Sequence, residues 1–289
     1  MAWQELFSVN ERIEYAGDLR QWYQRLWQRL NTHEPYALAV MGGSYAPTPG
    51  LAFLAGYQAA LRALVPNTPI ALGALCITEN RSLRPADFRA HFDNGLLTGQ
   101  KDFVLGGAQS EYLLVAARNV QDQSIVLVQV DANDAQFTPI PSLNVMPDVE
   151  HTRVRFDQIK ACALPGDGWD QYAKPFRTYE DTFVLAALLA WHERLLRERQ
   201  GPQSLYLQVI TLLGTLAHLA TLNPKEPATH LLLAGVQTQY RALANGLTEA
   251  LAGSAYHAMW LRDQSVLNVA RKAQEARLNK ALQTLHIAT

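Results

Sequence analysis

Apolar positions recur at helical spacing near the N-terminus, at alternate positions through the middle of the chain, and at helical spacing again towards the C-terminus. In residues 11–30, "ERIEYAGDLRQWYQRLWQRL", Leu19, Trp22, Tyr23, Leu26, Trp27 and Leu30 share one face, which predicts an amphipathic helix with its aromatic stripe in the core. After the turn-rich "GGSYAPTPG", the run "LAFLAGYQAALRAL" predicts a second helix that stops before Val65-Pro66. From about residue 70 to 164 the runs shorten to "IALGALCIT", "FVLGG", "EYLLVAAR", "SIVLVQV", "FTPI" and "HTRVRFDQI", divided by Gly, Pro, Asn and Asp clusters. Strands at this spacing predict a small barrel or sandwich. From residue 178 onward four long periodic segments, broken at Gly201-Pro202 and between Pro224 and Pro227, predict an antiparallel four-helix bundle. The expected organisation is α+β: a short helical segment over 1–69, a β-domain over 70–165 and the bundle over 166–289. The helix in "LYLQVITLLGTLAHLATL" is apolar nearly all round, so a homo-oligomer is expected, a second copy covering what one bundle seam cannot.

Charge removes several partners from consideration. The 289 residues carry 25 Lys+Arg against 26 Asp+Glu, a formal charge of -1, which gives no electrostatic footprint for nucleic acid or for an anionic membrane. No apolar run is long enough to span a bilayer, and "MAWQELFSVNERIE" lacks the apolar centre of a secretory signal. Two cysteines, Cys76 and Cys162, far apart in apolar contexts, fit a reducing, cytoplasmic setting. The eight histidines are scattered, so no metal site is expected.

The order of helices, a small β-domain and a helical bundle, together with several motifs, resembles the acyl-CoA dehydrogenase family. "LCITEN" is similar to that family's strand ending in Thr-Glu. "LTGQKDFVLGGAQSEYLLVAAR" is similar to its Gly-x-Lys-x-Trp-Ile-Thr/Ser strand and the strand after it. "VEHTRVRFDQIKACALPGDG" resembles the strand that ends the β-domain, and "YEDTFVLAALLAWHERLL" the first bundle helix. The resemblance covers about residues 73–196.

It implies FAD as cofactor and an acyl-CoA or other acyl thioester as substrate. The strand Lys101 to Leu105 would lie against the flavin, with Phe103 in the Trp place, Val104 after it and Leu105 in the Thr/Ser place, where it lacks the hydroxyl donor. Thr78 would be a second flavin contact, although the usual Gly-Ser-Asp after Thr-Glu is replaced by "NRSLRP". Arg199 resembles an arginine that reaches the flavin pyrophosphate across a dimer interface. The late glutamate position of the family is empty in "GSAYHAMWLRDQ", which leaves Glu180, at the start of the first bundle helix, as the implied catalytic base. Each residue also has a plain structural reading. Phe103 and Leu105 suit an ordinary inward-facing strand. Thr178 with Glu180 and Asp181 suits an N-cap and acidic first turn. Arg199 suits a basic helix end before Gly201. Two further functions therefore stand beside the dehydrogenase: a non-catalytic binding or scaffolding subunit, with a larger protein partner, and a flavin-dependent monooxygenase.

Overall fold

The computed structural model describes residues 3–30, 34–140 and 145–287. Four helices come first: α1 (Trp3–Ser8), α2 (Leu19–Arg29), α3 (Pro35–Tyr45) and α4 (Pro49–Leu64). The helix expected over 11–30 is shorter because Asp18 caps it, accepting the Gln21 N–H, and Gly17 before it takes a left-handed turn. Helix α3 lies where a turn was expected. Gly42 and Gly43 are helical there, and any Cβ on Gly43 would collide with the backbone of Ala187. The glycine pair sets helix-to-helix distance and does not break the chain.

Eight strands follow: β1 (Gly73–Cys76), β2 (His91–Asp93), β3 (Leu96–Leu105), β4 (Tyr112–Asn119), β5 (Ile125–Asp131), β6 (Gln136–Pro139), β7 (His151–Lys160) and β8 (Cys162–Ala163). They form one sheet in the order β6-β7-β3-β2-β4-β5-β8, with β1 parallel to β4. The apolar run of β4 is continuous because both of its faces are covered. Leu113, Val115 and Ala117 join an interior cluster within the sheet, while Tyr112, Leu114 and Ala116 face the helices. Strand β7 shows the opposite pattern, with Thr152, Val154 and Phe156 buried and Arg153, Arg155 and Asp157 exposed. Helix α4 docks on the sheet through its polar groups. Gln58 exchanges two hydrogen bonds with the Gly73 backbone, and the Tyr57 hydroxyl accepts the Leu75 N–H, so α4 satisfies polar groups of β1.

The C-terminal helices are α5 (Lys174–Glu198), α6 (Gln203–Leu219), α7 (Pro227–Ala250), α8 (Ala255–Asp263), α9 (Val266–Val269) and α10 (Arg271–Thr284). Helix α5, like α3 and α4, is buried on nearly every side. It lies against α3 and α4 on one flank and against α6 and α7 on the other, so the later helices share their core with the early ones. Helix α6 buries a single stripe of Leu205, Val209, Leu212, Leu213, Leu216 and Leu219. Leu207 on α6 and Leu232 on α7 remain 55% and 44% exposed. Gly253, in a left-handed turn, separates α7 from α8 where the sequence pattern ran on unbroken.

Candidate functional site

The helix that carries Glu180 starts well before it. A π-helical stretch, Gly168–Ala173, is capped by Asp167, whose Oδ1 accepts the N–H groups of Trp169 and Asp170, and it runs straight into α5 with Pro175 in the first turn. The N-cap role expected for Thr178 is therefore corrected. Thr178 is buried inside the helix, 3.4 Å from His230 Nε2, and Glu180 and Asp181 stand on the helix flank.

Glu180 lines a cavity of about 200 Å³. Phe53 of α4, Val184, Leu185 and Leu188 of α5, Tyr240 of α7 and Leu267 of α9 supply apolar wall, and His151 of β7 closes it on the sheet side. Buried Asp263 accepts the Met146 N–H at 2.7 Å and holds the residues before β7 against the cavity. Burial pushes the Glu180 carboxyl above the ordinary carboxylate range, and Arg177, 3.7 Å away, pulls it partly back. Asp181 beside it is committed elsewhere, paired with Arg277 and accepting from Gln274. His151, held below its usual range by burial, is the cross-strand partner of Leu105.

The second group of sequence-derived residues gathers at the end of β1. Asp102 N–H donates to the Thr78 carbonyl at 2.8 Å, which sets Thr78 beside the turn of β3 where register with β7 shifts between Lys101 and Val104. Phe103 sits in that shift with φ 59°, a left-handed conformation that a bulky residue adopts only when its surroundings enforce it. Its neighbours do enforce it. Lys101 is fully buried, its Nζ 3.0 Å from Glu79 Oε2, 3.3 Å from the Ile77 carbonyl and 3.9 Å above the Phe88 ring. Asp102 on the other side pairs with Arg153 at 2.7 Å. The Phe103 ring is left 37% exposed, with Thr78 partly exposed near it. Val104 and Leu105 are buried, in the sheet interior and towards the helices respectively.

An exposed phenyl beside a threonine fits the flat ring of a flavin in its apolar part. Leu105 offers no side-chain contact there, since its side chain belongs to the core. Arg199 is occupied as a cap of another helix, donating to the carbonyls of Ala250 and Ala252 at 3.1 and 2.8 Å, so within one chain it has no free fork for a pyrophosphate. Glu180 and Phe103 do not line one cavity. What joins them is the Leu105–His151 pair, one strand step from Phe103's turn on one side and on the cavity wall on the other. His151, Gln237 and Arg241 on this cavity were not singled out from the sequence. Only the polar break "QTQYR" in the apolar pattern of α7 signals the last two.

Behind the cavity His192 is buried, its Nδ1 2.9 Å from the Leu188 carbonyl and its ring 4.4 Å from Trp260. Burial pushes its pKa down to about 4. The unfolded chain takes up this proton near pH 6.5 and the folded one refuses it, so stability is full above about 6.5 and falls as pH drops towards 4. Urea unfolding is expected to lose roughly 2–3 kcal/mol to this group between about pH 7.5 and 4.5. His192→Phe should flatten that slope, and an unchanged slope would show that the histidine is not the cause.

No protein-family model and no curated protein sequence matches the chain. Solved structures do match in fold. The chain is similar to butyryl-CoA dehydrogenase from Megasphaera elsdenii (TM-score 0.67, 13% identity, covering 85% of this chain and 80% of that one). It is similar to an acyl-CoA dehydrogenase from Geobacillus kaustophilus (TM-score 0.61, 13% identity, 86% and 82%) and to PigA with FAD and proline (TM-score 0.63, 11% identity, 87% and 82%). The fold is that of the acyl-CoA dehydrogenases, as the sequence motifs implied.

Proposed function

We propose that the protein is a flavin-dependent oxidoreductase of acyl thioesters, with Glu180 as its base. The observation that carries this reading is a carboxylate with a raised pKa on the wall of a partly open, mainly apolar cavity. A base for a carbon acid needs such elevation, because a carboxylate in its ordinary range binds a proton too weakly to remove one from carbon. The acyl chain enters the cavity among Phe53, Val184 and Leu188. Glu180 takes a proton from the carbon next to the thioester carbonyl while a hydride leaves the following carbon, which yields an α,β-unsaturated thioester. FAD, when bound, is the acceptor of that hydride. Phe103 and Thr78 would hold FAD, and Val104 and Leu105 are the buried residues that follow Phe103 in the strand. Arg177 tunes Glu180, and the apolar walls exclude water from the proton transfer. Two free cysteines suit a reducing, cytoplasmic setting.

The expected outcome is that purified protein binds added FAD, and that Phe103→Ala releases most of it while its circular dichroism stays native. Full flavin occupancy in the variant would remove the flavin from this strand. The buried Leu105 and the occupied Arg199 favour a second reading, a non-catalytic binding subunit. A colourless protein that takes up no FAD would support that reading instead.

A further inference from the structure

The cavity beside Glu180 is mainly apolar, and its polar lining comes from His151, from Arg177, Glu180 and Asp181 of α5, from Gln274 of α10 and from two residues of α7. Gln237 and Arg241 lie four residues apart on one face of that helix, and both line the cavity. Gln237 is 6% exposed, and its side-chain Nε2 is buried with no hydrogen-bond partner. A buried amide N–H without a protein acceptor, on a cavity wall, offers a donor to whatever the cavity takes up. Arg241 adds charge to the same wall. Its guanidinium donates to the neutral Gln274 Oε1 at 2.5 Å, and it has no carboxylate partner among the described residues. The other charges on the cavity are matched, Glu180 with Arg177 and Asp181 with Arg277. Burial holds the His151 imidazole below its usual range, which disfavours its charged form. One cation is thus left uncompensated, next to one unfilled N–H donor.

We infer that the acyl group taken by this cavity ends in a carboxylate, which sits between the Gln237 amide and the Arg241 guanidinium. The substrate class is then a monothioester of a short dicarboxylic acid. An Arg fork and an amide N–H match the two oxygens of a carboxylate, whereas a methyl end would leave the Gln237 N–H unfilled and the Arg241 charge without an anion. A cavity of about 200 Å³ suits a short chain. This inference rests on the acyl-thioester reading of the site for its substrate, but the anion seat itself does not depend on flavin or turnover.

The test is equilibrium binding by calorimetry of two thioesters of equal chain length, hexanoyl-CoA and adipoyl-CoA, with free adipate and free hexanoate as a second pair. Adipoyl-CoA is expected to bind at least about tenfold tighter than hexanoyl-CoA, with the preference collapsing towards unity in Arg241→Gln and Gln237→Leu and partly restored in Arg241→Lys. Hexanoyl-CoA and hexanoate binding wild-type protein as tightly as their carboxylate-tipped partners would overturn the inference, whatever the variants do. If neither thioester binds and adipate still binds in an Arg241-dependent way, the carboxylate seat stands and the acyl-thioester reading fails. If neither thioester and neither free acid binds, the seat itself is refuted.

Discussion

Glu180→Gln is expected to slow reduction of bound flavin by an acyl-CoA by about 10²-fold or more, since the amide keeps the shape of the side chain and cannot accept the proton. Its effect on stability is expected to be small, within about 1 kcal/mol. Glu180 is past the first turn of α5, so no cap or helix-dipole interaction is lost, and the substitution also relieves a carboxylate that burial has already destabilised. In the wild-type protein the reduction rate should rise with pH through a pKa above the ordinary carboxylate range, because the ionised form is the active one. Stopped-flow bleaching of the flavin under anaerobic conditions reads both effects. Unchanged bleaching in Glu180→Gln would remove the residue from the chemistry, and no other carboxylate stands at a position that the family's motifs match.

Breaking the ion pair under Phe103 should unfold the protein more readily than any surface change. Lys101→Met leaves the Glu79 carboxylate, 1% exposed, without its counter-ion, and the expected loss is about 3–5 kcal/mol in urea unfolding. An exposed pair such as Arg271 with Glu275 sets the contrast, since Arg271→Ala is expected to cost at most about 1 kcal/mol. Glu79 also accepts the backbone N–H groups of Arg89 and Ala90. Adding Glu79→Gln to Lys101→Met removes the stranded charge and keeps an acceptor for those amides, so the double variant should recover part of the loss. A loss below about 1 kcal/mol in Lys101→Met would mean that the pair does not hold the turn of β3, and the account of Phe103's backbone would fall with it.

The strands were legible from short apolar runs, some alternating and some unbroken. β7 alternates along its whole buried part, and the unbroken apolar run of β4 reports a strand covered on both faces. The helical segments were legible in type but not in extent. Gly42-Gly43 reads as a turn in sequence, and it is helical because two backbones must come close there, a requirement imposed by α5 from far along the chain. Thr178 reads as a cap because Thr-x-Glu-Asp opens so many helices, yet Asp167 and Pro175 had already supplied the start. The candidate site divides in the same way. Glu180, Thr78 and Phe103 were reached through motif resemblance, whereas Gln237, Arg241 and His151 meet at the cavity only after α7, β7 and α5 have packed together. Local pattern carries no information about such a meeting. Nor does it reveal that Leu105 turns to the core, or that Arg199 is drawn to the end of a helix some fifty residues away.

The most direct test of the account is anaerobic mixing of FAD-loaded protein with hexanoyl-CoA and adipoyl-CoA while the visible absorbance of the flavin is followed. The account predicts that the flavin band bleaches, faster at equal low concentration with adipoyl-CoA. A protein that binds no FAD, or a band that neither thioester changes, would contradict it.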